Sequence, residues 1–371
     1  MDDWGALRAY TQDWEVLRSF LPEGWEDKAR ELGALRRARN IKTAEVLLRV
    51  LLIHLATGAS LKETQLRAGV SGLCKLSSGA VFKRLRAAEN WLGWMCGQML
   101  ATWSSDLPSE VHQAGQRLRI VDSTALREPG RTGTRWRIRY ALDFPALRCR
   151  QVHVSDPTQG ESLRMFSIAS GEIVLADRGY ANPADVAHVE DQQASLIVRA
   201  PLTRLALREE EAGPFRLLEH LRTLAGAQTG DWPAWVQYGR RPIAGRLCAI
   251  RKSEAAAEPE RKRIRRAAAH KGIQASAERM EAAGYFFVFT TLGPEVPTRT
   301  VLELDRGRWQ VELAFKRLKS SIGLSHLKKR DAQGARAWIH GKLLVAFLIE
   351  ALLAASRDFS PWGYFIPDPH T

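Results

Sequence analysis

The first hundred residues place apolar side chains at helical spacing. Residues 43–56 repeat apolar positions every three or four residues and end at Gly58, which predicts a helix. A second short helix is expected after Ser60. A long helix is predicted from about 79 to 103, because a serine pair can cap its start. Residues 1–105 are therefore predicted to form an all-helical N-terminal domain.

From Arg117 the pattern changes to short apolar runs bounded by turns. The runs read LRIVD, WRIRYALD, LRCRQVHVSD, EIVLAD and SLIVRA, and each predicts a strand. Residues 135–143 and 147–156 alternate polar and apolar side chains around Pro145, which is typical of a hairpin. The later runs are followed by helical or loop stretches. Residues 106–200 are therefore predicted to form the first part of a mixed α/β sheet.

Residues 201–292 have a different pattern, which predicts a β-rich insertion. Strands are expected at 232–238 and 246–251, and RKRIRR begins a basic helical segment. A strand at 285–291 leads out of the insertion. Two strongly helical stretches, at about 301–322 and 335–356, then predict that residues 293–371 complete the sheet domain.

The composition favours a folded, basic, multidomain protein. A chain of 371 residues is long for one hydrophobic core, and its net charge of +14 makes nucleic acid the leading candidate partner. Four widely separated cysteines without CxxC spacing argue against a zinc site or a disulfide framework. The longest apolar stretch near the C-terminus, at 343–355, contains Glu350 and is shorter than a membrane span. We expect a cytoplasmic protein without a membrane partner.

Basic residues near the start of the predicted long helix suggest contact with DNA. Lys83, Arg84 and Arg86 follow a helix and a glycine-containing turn, an arrangement that suits docking of a helix–turn–helix. The alternative is an ordinary helical bundle with solvated basic side chains.

Two aspartates follow apolar runs that predict buried strands. Asp122 ends the first run and Asp177 ends the fourth, so both are predicted to project from strand ends. Open α/β sheets bind ligands at that edge. Caps and turns also use aspartate, so each residue alone is weakly informative.

A third acidic residue lies in the sequence DRGRWQVELAFKRLK. On one continuous helix Arg308, Glu312 and Lys319 would fall within roughly 40° of one another. The alternative is an exposed helix with one ion pair. Carboxylates are ligands that Mg²⁺ and Mn²⁺ prefer, and two such ions serve phosphoryl transfer well. Arg308 and Lys319 would then bind phosphates.

These motifs together resemble the DDE transposases of insertion-sequence family four. The helix resembles their signature Y(2)R(3)E(6)K, and IVDST and VLADRGY resemble their two aspartate motifs. VFTTL, GESL and GKLLVAFLIEALLA are also similar to segments of the group. The resemblance covers about residues 40–357. It implies a ribonuclease H-like core interrupted by a β insertion, which cuts element ends and joins them to target DNA.

The resemblance also assigns roles to individual residues. Asp122, Asp177 and Glu312 would be catalytic ligands of two Mg²⁺ or Mn²⁺ ions, and Arg308 and Lys319 would contact DNA phosphates. Tyr285 and Phe286 lie near the place of an aromatic that stacks on a flipped base. Buried strand aromatics are the alternative for this pair. The implied partners are the terminal inverted repeats and target duplex, with a homodimer on DNA.

One position departs from the signature. Asp305 stands where the family has tyrosine, and an ionised aspartate repels phosphate unless a cation intervenes. Two alternatives therefore stay open, a decayed transposase that only binds DNA and a nuclease that does not join strands. Asp143, Asp156 and Glu161 could assist the site, but solvated loop carboxylates are the preferred interpretation. The scattered histidines are expected to be structural or exposed.

Overall fold

The computed structural model describes residues 13–36, 40–105, 117–129, 135–144, 147–156, 159–202, 205–209, 213–226, 228–325, 327, 329 and 331–357. Residues 13–19 are helical, and the N-terminal helices that follow are α1 (Trp25–Glu31), α2 (Ala44–Thr57), α3 (Leu61–Val70), α4 (Ser78–Ala87) and α5 (Glu89–Ser105). The predicted start of α3 after Ser60 is confirmed, and α2 has a cap of the same kind. The Thr43 and Ser60 side chains accept hydrogen bonds from backbone N–H groups in the first turn of each helix.

The prediction of a single long helix at residues 79–103 is wrong, because this segment divides into two helices at Ala88. The N–H of Ala88 closes α4 on carbonyls of that helix, and α5 begins at Glu89. Both halves contact the helix Ala332–Arg357, which comes near the end of the described residues, and α4 also lies against α3. The Trp91 indole of α5 donates to the Trp25 carbonyl and ties α5 to α1.

One mixed sheet forms the centre of the protein. Its strands are β1 (Leu118–Arg127), β2 (Arg135–Phe144), β3 (Arg148–Ser155), β4 (Ile173–Ala176), β5 (Ser195–Arg199), β6 (Leu207–Arg208), β7 (Thr229–Tyr238), β8 (Arg241–Arg251) and β9 (Tyr285–Thr290). Their order is β3-β2-β1-β4-β5-β9-β8-β7-β6. β1, β4 and β5 are parallel neighbours, and the other pairs are antiparallel.

The predicted strands and fold class are confirmed. β2 and β3 pair as the expected hairpin, although its predicted turn at Pro145 lies outside the described residues. The segment 201–292 is β-rich as expected, and its strands extend the same sheet because β9 pairs with both β5 and β8. The core strands and those of the insertion thus form one hydrogen-bonded surface.

Helices cover both faces of the sheet. Those of the second half are α6 (Pro183–Asp191), α7 (Leu217–Arg222), α8 (Glu254–His270), α9 (Ala277–Ala282), α10 (Thr298–Gly307), α11 (Trp309–Ser320) and α12 (Ala332–Arg357). One hydrophobic cluster joins the N-terminal helices, one sheet face and α12, and a second lies between the opposite face and α6. The proposed domain boundaries at 105, 200 and 292 stay predictions.

Helix α12 is longer than the apolar stretch in the sequence indicated. By length and composition its segment Ala332–Ala355 is the one candidate membrane span among the described residues, which corrects the expectation that this stretch is too short. Two thirds of that segment is buried inside the protein. Such burial is typical of a core helix, and the Leu343, Leu344 and Phe347 side chains are fully enclosed.

Candidate active site

The two motif aspartates lie side by side on neighbouring parallel strands. Val121 of β1 is opposite Ala176 of β4, so Asp122 and Asp177 follow at the same height. Asp177 leaves its strand as predicted and starts a short 3-10 turn. Asp122 does not end its strand, since β1 continues to Arg127 against β2. The end of β4 forms an edge of the sheet at this level, because β4 stops here whereas its parallel neighbour β1 continues.

Burial sets the electrostatics of Asp122. Its side chain is 17% exposed, and Oδ1 accepts a hydrogen bond from the Ser123 N–H at 2.7 Å. Burial, together with the charges of Asp177 and Glu161, raises the pKa of Asp122 to about 6, although the Ser123 hydrogen bond and the Arg308 charge oppose the rise. Carboxylates thus crowd one small region, an arrangement that cations stabilise.

Arg308 links the first carboxylate to the third. Its Nη1 lies 3.9 Å from Oδ2 of Asp122, and its Nη2 lies 3.3 Å from Oε1 of Glu312. The arginine side chain is 9% exposed, and its Nε is buried without a hydrogen-bond partner. The guanidinium therefore connects strand β1 to helix α11, across 186 residues of sequence.

The helix predicted for residues 301–322 is broken at this arginine. Helix α10 ends at Gly307 and α11 begins at Trp309, and the Arg308 N–H bonds to the Asp305 carbonyl three residues back. This tighter bond turns the chain as the Arg308 side chain enters the interior. The prediction of one continuous helix is wrong, but Arg308 and Glu312 still meet as neighbours one turn apart.

Glu312 and Lys319 lie at increasing distances from the aspartates. The Glu312 side chain is 61% exposed and Lys319 is partly exposed two turns further along α11, about 10 Å along the axis. Among the described residues no three His, Cys, Asp or Glu side chains are close enough together to hold one metal ion. The structure thus joins Asp122, Arg308 and Glu312 by contact, whereas Lys319 is apart from them.

Asp305 is buried rather than presented to solvent. Its side chain is 3% exposed and its Oδ2 lies 3.7 Å from Nε of Arg199, at the end of β5. Burial raises the pKa of Asp305 to about 6, although the charges of Arg199 and Arg308 oppose the rise. The positive charges of Arg199 and Arg308 thus reduce the repulsion that we expected between Asp305 and a phosphate. Arg199 was missed in the sequence, where its signal is the single arginine, next to last in SLIVRA.

The two candidate aromatics lie at the start of β9. Tyr285 and Phe286 are half-buried, and the Arg199 guanidinium stacks on the Phe286 ring at 4.8 Å. The Phe286 ring therefore already has a cation partner. Stacking of either aromatic on a DNA base stays a prediction.

Glu161 and Asp143 are not the solvated loop carboxylates that we expected. Glu161 Oε1 accepts a hydrogen bond from the Ser123 hydroxyl at 2.7 Å and pairs with Arg137 at 3.0 Å. Asp143 is buried on β2 and pairs with Arg150 at 3.1 Å. Asp156 is exposed, as expected. Glu161 thus lies next to the aspartate pair, from which it is separated by 39 and 16 residues of sequence.

The N-terminal basic residues lie on helix α4, in a cleft of their own. Lys83 is exposed and Arg84 half-buried, whereas Arg86 is held 3.0 Å from Asp331 at the start of α12. Lys83 and Arg86 line a cleft of about 310 Å³ together with Arg36. The helix–turn–helix arrangement of α3 and α4 is present, and its contact with DNA stays a prediction.

Comparison with known proteins decides the family. The model of the transposase DDE domain matches residues 113–348, a stretch that contains all three motif carboxylates. The chain belongs to the DDE transposase family. Relatives match it over nearly its whole length: the transposase for insertion sequence element IS421 of Escherichia coli is 32% identical over 368 residues, covering 97% of this chain and 96% of the relative.

Two further DDE transposase relatives give the same picture. InsL of insertion sequence element IS186A, also from Escherichia coli, is 32% identical over 367 residues, again 97% of this chain and 96% of the relative. The transposase for insertion sequence element IS231C of Bacillus thuringiensis is 22% identical over 387 residues, 93% of this chain and 80% of the relative. The resemblance inferred from the motifs is therefore confirmed.

Proposed function

We propose that this DDE transposase cuts the ends of an insertion sequence and joins them to target DNA, with Asp122, Asp177 and Glu312 as its catalytic carboxylates. One observation carries the assignment of the residues. The Arg308 guanidinium contacts both Asp122 and Glu312, and Asp177 lies beside Asp122 on the adjacent parallel strand. Carboxylates distant in sequence are thus gathered at the edge where such sheets place ligands.

The residues at this edge fit a divalent cation. They offer hard carboxylate oxygens, and Asp122 is mostly buried beside Asp177 and Glu161, so that burial and the neighbouring negative charges raise its pKa and a cation would stabilise its ionised form. Asp122, Asp177 and Glu312 would hold two Mg²⁺ or Mn²⁺ ions. Such ions, when bound, activate the attacking oxygen and stabilise the leaving oxygen of the phosphodiester.

The basic residues have separate tasks in this proposal. Arg308 holds Asp122 and Glu312 in place, and its positive charge would attract a phosphate at this edge. Lys319 provides a point charge further along α11 for the DNA backbone. Lys83, Arg84 and Arg86 would contact the duplex away from the cut. The net charge of +14 would attract both the terminal inverted repeats and the target, with two copies of the chain on the DNA.

The test is a cleavage and joining assay on labelled duplex that carries the ends of the source element. Wild type, Asp122→Ala and Glu312→Gln are compared in magnesium, manganese or EDTA, and Glu303→Gln serves as a matched control because Glu303 pairs with exposed Arg299 on α10. We expect metal-dependent cutting and joined products for wild type and the control alone. Glu312→Gln should bind DNA nearly as well as wild type, since it removes no phosphate contact.

Other outcomes would identify a different activity. Cutting without joined products would favour a nuclease. Tight binding without cutting in any metal would favour a DNA-binding derivative of a transposase. Loss of DNA binding in Glu312→Gln would contradict the role given to this carboxylate.

A further inference from the structure

The Glu161 carboxylate lies across the two segments that carry the aspartates. On one side it accepts a hydrogen bond from the Ser123 hydroxyl, immediately after Asp122. On the other side it lies over Gly179, two residues after Asp177. A Cβ at Gly179 would overlap the Glu161 carboxylate, so a side chain at that position would displace the carboxylate. One side chain therefore contacts both segments that carry the aspartates.

The backbone around Glu161 is fixed by buried groups. The fully buried Arg139 donates from Nη2 to the carbonyls of Gln159 at 2.7 Å and Gly160 at 2.6 Å. After Glu161, the fully buried Asp185 accepts hydrogen bonds from the Ser162 hydroxyl at 2.7 Å and the Leu163 N–H at 3.0 Å. Because both flanks are anchored in the interior, the backbone of the glutamate cannot move away from the aspartates without breaking these hydrogen bonds.

The contacts of the carboxylate itself lead directly to Asp122. Ser123 is held from two sides, because its N–H donates to Asp122 Oδ1 at 2.7 Å and its hydroxyl donates to Glu161 Oε1 at 2.7 Å. Arg137 pairs with the same Glu161 oxygen at 3.0 Å and balances its charge. Removal of Glu161 would leave the Ser123 hydroxyl without this partner, directly beside the backbone N–H that orients Asp122.

We infer that Glu161 is a positioning residue of the active site, which fixes the Asp122 and Asp177 carboxylates relative to each other so that they bind a divalent cation together. This inference rests on the proposed function. Residues that orient metal ligands affect metal affinity or activity about 10- to 100-fold when they are replaced. The contribution of Glu161 comes from its hydrogen bonds and shape, so glutamine should replace it with little loss.

The experiment measures Mn²⁺ binding to the full chain by electron paramagnetic resonance of the free ion, together with DNA cleavage. Glu161→Ala should weaken Mn²⁺ affinity about 10- to 100-fold, and Glu161→Gln should stay close to wild type. Gly179→Ala should resemble Glu161→Ala, because it displaces the carboxylate without removing it. Gly160→Ala is the matched control, since a Cβ there meets open space. Ser123→Ala removes only the hydroxyl and should weaken binding in the same direction.

Thermal unfolding identifies any variant that fails to fold, and Ser123→Ala then carries the test alone. Wild-type Mn²⁺ affinity in folded Glu161→Ala, or in Ser123→Ala when Glu161→Ala does not fold, would overturn the inference and leave the proposed function standing. Glu161→Gln as weak as Glu161→Ala would also overturn it, because charge rather than position would then matter. Absence of Mn²⁺ binding in wild type would overturn the proposed function and the inference together.

Discussion

Replacing Asp305 by asparagine should stabilise the protein at neutral and alkaline pH. The aspartate side chain is almost completely buried, Oδ1 has no hydrogen-bond partner, and its nearest cation, Arg199, is 3.7 Å away. Desolvation of the ionised form therefore exceeds the attraction of Arg199 and Arg308, and the pKa rises to about 6. Asparagine keeps the shape of the side chain and removes the charge.

The size of the expected gain in stability follows from the rise in the pKa of Asp305 from 3.8 to about 6. Since one pKa unit corresponds to about 1.4 kcal/mol, ionisation in the folded state costs about 3 kcal/mol. The folded state binds the proton more tightly than the unfolded chain. The contribution of the Asp305 carboxyl to the stability of the wild type is therefore most favourable below pH 3.8. It falls as the pH rises to about 6 and stays low above that. The advantage of Asp305→Asn should be near zero at pH 4 and approach about 3 kcal/mol at pH 8.

Urea unfolding of wild type and Asp305→Asn between pH 4 and pH 8 measures this difference. Asp27→Asn is the control, because the Asp27 side chain is 90% exposed on α1, and its difference from wild type should not change with pH in this way. The Asp122 carboxyl titrates in both proteins, so its effect on the free energy of unfolding cancels when the two are compared. An Asp305→Asn variant less stable than wild type at pH 8 would refute the reasoning, since attraction to Arg199 would then outweigh desolvation.

Three further changes test the fold and the DNA contacts. Glu172→Ala leaves buried Arg119 without its ion-pair partner and should cost about 3–5 kcal/mol in chemical denaturation; a loss below about 1 kcal/mol, typical of exposed pairs, would contradict this. Gly341→Ala would drive a Cβ into Leu55 between α12 and α2, and calorimetry should show a loss of about 1–3 kcal/mol; an unchanged melting temperature would argue against that packing. Lys83→Ala should weaken DNA binding and lower the slope of log affinity against log salt by about one, and an unchanged slope would exclude a phosphate contact.

The strands and the aspartates could be predicted from sequence because their signals are local. A short apolar run bounded by turns is enough to indicate β4, and the parallel pairing of β1 with β4 then places Asp122 beside Asp177. The interruptions at Ala88 and Arg308 could not be predicted this way. Neither break contains proline, and each lies beside a contact with a distant part of the chain, such as that between Arg308 and Asp122.

For the same physical reason Arg199 was missed, and Glu161 was interpreted as a solvated loop carboxylate although it was considered as an auxiliary to the site. Each lies next to a segment whose composition is ordinary for a strand end or a loop. What distinguishes them is the partner that the fold supplies, Asp305 for Arg199 and Ser123 for Glu161. A glycine such as Gly179 gives no sign in the sequence that a carboxylate occupies the space beside it.

The docking of α12 on the N-terminal helices constrains the order of events during protein synthesis. Helices α2, α4 and α5 come from the first 105 residues, yet their apolar faces are covered by a helix that starts at residue 332. A chain still being translated must keep those faces exposed, or covered by a chaperone, until the last helix leaves the ribosome. Chains truncated before α12 should therefore aggregate or be degraded rather than persist as free DNA-binding fragments.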